Sequence, residues 1–198
     1  MWRRRSTRGP LRGEAALEEP RVKRRAGSKM GEIHRVRMGE IACGESGVLH
    51  TILGSCVGIA LWRKDGGPVG LAHCVLPEPM GEMENKGARF VSTGVPNLLR
   101  ALGWRQGESL RGWRGVVAGG AKSLEGAQAN WEVGRLNLEA ARKALDELGI
   151  RYELMPATGH RGCVLEVDCV SRRYRAEALE ANEGEGARRK QNRGTTGK

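Results

Sequence analysis

Residues 51–62 (TILGSCVGIALW) and 68–77 (PVGLAHCVLP) decide the fold. Two apolar runs of strand length flank the turn signal Asp65-Gly66-Gly67, and Pro77 and Pro79 must end the second run, so the pair reads as a β-hairpin. Upstream, residues 33–43 (IHRVRMGEIAC) alternate apolar and polar side chains and are predicted to form one strand entering the domain. GVLHTIL, after a Gly-Glu-Ser-Gly turn, is predicted as the next. Downstream, Val91, Val95, Leu98, Leu99 and Leu102 recur at helical spacing within residues 90–102, although Gly94 and Pro96 weaken the first turns. RGWRGVVAGGA reads as a core strand ending in a Gly-Gly turn. Residues 134–148 form the clearest helix, with Asn137, Ala141, Ala144, Leu145 and Leu148 on one face and Gly149 as C-cap. IRYELMP, GCVLEVD and VSRRYRA follow as three short strands. Early strands, two inserted helices and late strands give no regular βαβα alternation. The expected class is therefore α+β, with mixed β-sheets packed together and helices on the outside.

The chain has 198 residues, enough for one domain with tails and a core that needs neither disulfide nor metal. Its formal charge is +11, but the charge is unevenly spread. Residues 1–29 hold ten Lys/Arg against three acidic residues, residues 180–198 hold five against three, and residues 30–179 hold 19 against 17. A nearly neutral middle with basic, weakly hydrophobic ends predicts a disordered leader over 1–29, a domain over 30–179 and a disordered tail over 180–198. The ends read either as solvated or as contacts with an acidic partner or membrane surface, and Met30 is an alternative first residue. A shaped, sequence-specific nucleic-acid surface is not expected. No apolar run reaches the roughly eighteen residues of a membrane span, and the N-terminus lacks the apolar core of a secretory signal. Cys43, Cys56, Cys74, Cys163 and Cys169 are odd in number and form no CxxC, which favours reduced thiols, a cytoplasmic location and no zinc site.

One constellation carries potential chemistry. Cys56 lies in LGSC at the end of one strand and His73 in AHCVLP on the next, seventeen positions later across the predicted hairpin turn. A cysteine attacks only as thiolate, and its free pKa of about 8.5 makes a nearby histidine useful at neutral pH. Gly54 and Ser55 are small enough to let backbone N–H groups reach a developing oxyanion. The same residues also fit a bland account, in which Cys56 is a buried small hydrophobe and His73 an ordinary strand histidine. Alternation puts His73 and Cys74 on opposite faces, so only one can meet Cys56. Cys43, Cys163 and Cys169 read as packing residues and His160 as loop surface, while no P-loop or GxGxxG is present to hold a nucleotide.

TILGSCVGIALW, GGPVGLAHCVLPEP, VVAGGAKS, VGRLNLEAARKALDELGI and ATGHRGCVLEV occur in the order and separation of the chemoreceptor glutamine deamidase CheD family. The resemblance covers residues 31–179, with departures from the family pattern at Val117-Ala118 ahead of Gly119-Gly120 and at Thr158-Gly159 that bear on the substrate-side loops more than on the chemistry. The resemblance implies a fold similar to the catalytic domain of the cytotoxic necrotizing factor toxins. It also implies a Cys-His-Thr site that converts receptor glutamines to glutamates through a cysteine thioester, in chemotaxis adaptation and without metal or organic cofactor. Carried over, Cys56 is the nucleophile, His73 the general base and acid, and Thr51 orients the histidine, with Gly54 and Ser55 supporting the oxyanion. Family members often place the threonine six residues before the cysteine, where this chain has His50. A one-residue shift turns a strand side chain to the other face, so Thr51 is expected to need a bulge to aim correctly. The implied partners are methyl-accepting chemotaxis receptors and a CheC-type phosphatase, and a small enzyme acting on a large receptor is expected to work as a monomer. A regulatory binding module for those partners, with little catalysis, is the alternative function.

Overall fold

The computed structural model describes residues 22–25, 31–79, 87–122, 129–157 and 161–179. Their elements are β1 (Val22–Arg25), β2 (Ile33–Arg35), β3 (Ile41–Gly44), β4 (Val48–Leu53), β5 (Val57–Arg63), β6 (Val69–Cys74), α1 (Val91–Ala101), β7 (Trp113–Gly119), α2 (Ala129–Glu147), β8 (Arg151–Pro156), β9 (Cys163–Asp168) and β10 (Tyr174–Ala178). A six-stranded sheet runs in the order β1-β3-β6-β5-β7-β8, and a four-stranded sheet in the order β10-β9-β4-β2. Both are mixed: β1 with β3, β7 with β8 and β2 with β4 are parallel, and the remaining pairs are antiparallel. The chain is thus α+β, as the order of its patterns predicts.

Two hydrophobic clusters define three layers. Val57, Ile59, Leu61, Ala72 and Cys74 of the larger sheet pack with Val95, Leu98 and Leu99 of α1 and Ala141 and Leu145 of α2. On the sheet's other face Ala60, Leu71, Val116 and Ala118 pack with Leu49, Leu53, Leu165 and Val167 of the smaller sheet. The larger sheet is therefore the middle layer. That position explains why VGIALW is continuously apolar: its first six residues in β5 are all buried, as expected for a strand covered on both faces. In β9 burial alternates residue by residue, because the outer face of the smaller sheet is not covered by any described element.

The hairpin forms as expected, with β5 and β6 registered from Val57↔Cys74 to Leu61↔Gly70. Gly66 and Gly67 turn it with φ of 124° and 84°, a region that side chains other than glycine's rarely adopt. The segment 33–43 departs from the expected single strand. It splits into β2 and β3, which belong to different sheets. Gly39 at φ 74° and the Glu40 N–H to Arg37 carbonyl bond turn the chain between them, while buried Val36 fills the crossing. Helix α2 begins before Gly134, which sequence pattern takes as its start. The leader expected to be disordered over 1–29 contributes β1, whose backbone pairs in parallel with β3 from Val22↔Ile41 to Arg25↔Gly44 and so covers an edge β3 would otherwise expose. The rest of the leader, the tail beyond residue 179 and His160 lie outside the described residues. No helix among the described residues is long and apolar enough to cross a membrane.

Candidate active site

His73 and Cys56 share the face of the middle sheet that looks toward the smaller sheet. His73 lies directly opposite Gly58 in the β5–β6 ladder, and Cys56, one residue before that ladder begins, packs in the cluster between the two sheets. Cys74, opposite Val57, points the other way into the helix-side cluster. Burial pushes its thiol strongly up. Cys56 belongs instead to the cluster between the sheets.

Thr51 reaches this face from the smaller sheet. Its Oγ1 lies 2.7 Å from His73 Nδ1 and donates to the Val36 carbonyl at 2.8 Å. A hydroxyl has one proton, so toward the imidazole it can only accept. Neutral His73 therefore carries its proton on Nδ1 and keeps the Nε2 lone pair free. Nε2 is buried and has no hydrogen-bond partner among the described residues. The bond spans the two sheets, and Gly58 makes room for it: a Cβ there would press on the Thr51 methyl at 3.4 Å and on Leu53 and Leu165 at 3.0 Å. The expected bulge is absent, since β4 pairs with β9 without interruption from Val48↔Asp168 to Leu53↔Cys163. Regular alternation already turns Thr51 inward, at 1% exposure. His50, one position earlier, faces outward opposite Glu166.

The loop 54–56 between β4 and β5 is held by its carbonyls. Ala121 N–H bonds the Gly54 carbonyl at 2.9 Å and Gly120 N–H bonds the Cys56 carbonyl at 2.9 Å. Asn137 Nδ2 bonds the Ser55 carbonyl at 3.0 Å. In a trans peptide C=O and N–H point in opposite directions, so these bonds turn the Ser55 and Cys56 N–H groups away from the clamp. The Cys56 N–H faces its own sulfur and lowers the thiol pKa, against a larger upward push from burial. Burial likewise pushes His73 below its ordinary 6.5, partly countered by the Val36 backbone. Burial thus favours the neutral form of each group, a thiol and an imidazole.

The backbone around the loop is packed closely. Gly119, at φ 104°, leaves no space for a Cβ against the Cys56 carbonyl, and a Cβ on Gly162 would overlap the Leu53 carbonyl. Sequence pattern reads this stretch only as a core strand ending in a Gly-Gly turn, whereas the Gly120 and Ala121 amides hold the nucleophile's loop. Asn137 was expected only as part of a core-facing helix stripe. Its polarity among Ala141, Ala144 and Leu145 was the available signal for a further role. Among the described residues no group of His, Cys, Asp and Glu is arranged to hold a metal ion.

A family model described as CheD chemotactic sensory transduction matches residues 75–177, a span that starts just after His73. A probable chemoreceptor glutamine deamidase CheD of Bdellovibrio bacteriovorus is 38% identical over 138 residues, covering 68% of this chain and 87% of the relative. Proteins of the same name from Methanococcus maripaludis and Natronomonas pharaonis are 32% and 31% identical, over 65% and 74% of this chain and 83% and 88% of theirs. Among solved structures, the Bacillus licheniformis hypothetical protein YfiH aligns with a TM-score of 0.38 and 14% identity, over 64% of this chain and 60% of that one.

Proposed function

The chain belongs to the CheD family, and from that premise we propose that it is a protein-glutamine deamidase acting on chemoreceptors in chemotaxis adaptation. The observation that carries the reading is the Thr51–His73 hydrogen bond, in which the threonine proton is committed to Val36. It leaves a base at Nε2 on the face that Cys56 shares.

In the proposed reaction the receptor glutamine places its side-chain carboxamide against the Cys56 sulfur. His73 Nε2 takes the thiol proton as sulfur bonds to the carbonyl carbon, giving a tetrahedral oxyanion. The Ser55 and Cys56 N–H groups, turned outward by the clamped carbonyls, stabilise that charge. His73 returns the proton to the departing nitrogen, ammonia leaves, and a thioester remains. Water then attacks, Nε2 accepts its proton, and collapse of the second tetrahedral species returns the thiol and leaves glutamate. Each cycle consumes one water, releases one ammonia and adds one carboxylate to the receptor. Proton on Nδ1 throughout, His73 relies on Thr51 to share the charge of the transient imidazolium. The side chains invoked all come from one chain, so the chemistry needs no second copy.

Thiol catalysis also serves transglutaminases and peptidases, which differ in what opens the acyl-enzyme or in which amide is attacked. The test is incubation of a purified receptor cytoplasmic fragment with wild-type protein and with Cys56→Ala, followed by peptide mass spectrometry. Deamidation appears as a Cys56-dependent gain of about 1 Da at particular glutamines, with ammonia released in equal amount. Cross-linked lysines or cleaved backbone would replace this reading. A folded, reduced protein that modifies no receptor would instead be a binding module for receptors or a CheC-type phosphatase.

A further inference from the structure

Asn137 is fully buried on α2, in a helix face otherwise made of Ala141, Leu145 and their neighbours. Its Nδ2 makes two hydrogen bonds, to the Ser55 carbonyl at 3.0 Å and the Val75 carbonyl at 2.9 Å. Ser55 immediately precedes Cys56, and Val75 is two residues past His73. One amide thus ties the backbone carrying the nucleophile to the backbone carrying the base. These two segments otherwise run side by side only through the end of the β5–β6 ladder, which stops at Val57↔Cys74.

The cost of this arrangement is visible. Asn137 Oδ1 is buried and has no hydrogen-bond partner among the described residues, and an unsatisfied buried acceptor is unfavourable. An apolar residue would suit the helix face better if packing were its whole purpose. The helix is also brought unusually near. Gly134, one turn earlier on the same face, sits where a Cβ would meet the Gly120 and Ala121 carbonyls at 2.7 and 2.8 Å. Those are the residues whose N–H groups clamp the Cys56 and Gly54 carbonyls. The loop before Cys56 is therefore held by three consecutive carbonyls, two taken by backbone and the middle one by Asn137.

We infer that Asn137 is a positioning residue for the deamidation proposed above: by holding the Ser55 carbonyl it turns the Cys56 N–H toward the oxyanion, and by holding Val75 it fixes that donor relative to His73. The inference rests on the deamidase reading. Asn137 touches no reacting atom and takes no proton. Its effect falls on the turnover step, because an oxyanion exists only in the tetrahedral species and not in bound substrate.

The test compares wild type with Asn137→Ala and Asn137→Asp, the latter keeping the shape while replacing the amide donor by a carboxyl. Steady-state deamidation of the receptor fragment gives kcat and KM per folded molecule, the folded fraction coming from circular dichroism. Alkylation of Cys56 by iodoacetamide runs in parallel, since that displacement forms no oxyanion. The expected result is a fall in kcat on the order of 10- to 100-fold, with KM and the alkylation rate within about threefold of wild type. Turnover per folded molecule equal to wild type in both variants, or loss of activity that only tracks the folded fraction, overturns the inference. Wild type that leaves every receptor glutamine unchanged overturns the deamidase reading first, and the inference with it.

Discussion

Replacing Thr51 by valine removes one hydroxyl and keeps the side chain's shape. That hydroxyl serves two buried partners, accepting from His73 Nδ1 at 2.7 Å and donating to the Val36 carbonyl at 2.8 Å. Val36, Thr51 and His73 are each no more than 4% exposed, so water cannot readily replace the lost bonds. Each orphaned polar group costs about 1–3 kcal/mol, giving an expected destabilisation of about 2–4 kcal/mol after some relaxation. The imidazole has one escape, which is to move its neutral-state proton to Nε2. That relieves Nδ1 but removes the lone pair that receives the Cys56 proton, so kcat should fall by roughly 10²–10⁴-fold. Thr51→Ser retains the hydroxyl and should keep kcat within about tenfold of wild type, limited by the looser rotamer of serine. Deamidation kinetics on a receptor fragment, normalised to folded protein, and urea unfolding measure the two effects separately. A Thr51→Val protein that turns over at the wild-type rate would refute the tautomer argument even if its stability fell as expected.

The acid limb of kcat/KM should lie below pH 6.5, because burial holds His73 below that value and the neutral imidazole is the base; a pH–rate profile with its acid limb above 6.5 would contradict this. Stability carries the same sign. Above pH 6.5 His73 is neutral in both states and its contribution is complete, whereas on acidification toward its lower folded pKa the unfolded chain takes up the proton first and stability falls. Urea midpoints between pH 7.5 and 5.5 should therefore decline less in His73→Gln than in wild type. Gly162→Ala should cost on the order of 3 kcal/mol or prevent folding, because the new methyl group would overlap the Leu53 carbonyl beside the nucleophile's loop; a thermal midpoint within a degree or two of wild type would show that the backbone yields there. Gly58→Ala should lower kcat more than it lowers stability, since its Cβ presses on the Thr51 methyl and two leucines whose ends can shift; unchanged kcat would separate Thr51 placement from that gap.

The hairpin was legible because burial leaves a period in the sequence. VGIALW is continuously apolar and lies in the middle layer, while the alternating VLHTIL and CVLEVD form the smaller sheet. The same periodicity could not reveal the break in residues 33–43. β2 and β3 each alternate acceptably as one strand, and only the sheet assignment separates them. That break matters, since it delivers the Val36 carbonyl to Thr51. Alternation did separate His73 from Cys74 in advance. It also raised a false difficulty over Thr51, because counting back from Cys56 assumes a regular strand through a loop that bends at 54–56. Asn137 was placed on the correct face of its helix, but a contact between residues 82 positions apart in the chain leaves no local trace. Backbone amides such as those of Gly120 and Ala121 are silent in sequence for the same reason.

The most direct measurement is peptide mass spectrometry of a receptor cytoplasmic fragment after incubation with wild-type protein or with folded Cys56→Ala. The account predicts glutamine-to-glutamate conversion at discrete sites with wild type alone, matched by ammonia release. Conversion that persists at the wild-type rate in Cys56→Ala would contradict the assignment of the nucleophile and with it the mechanism built on the Cys56–His73–Thr51 geometry.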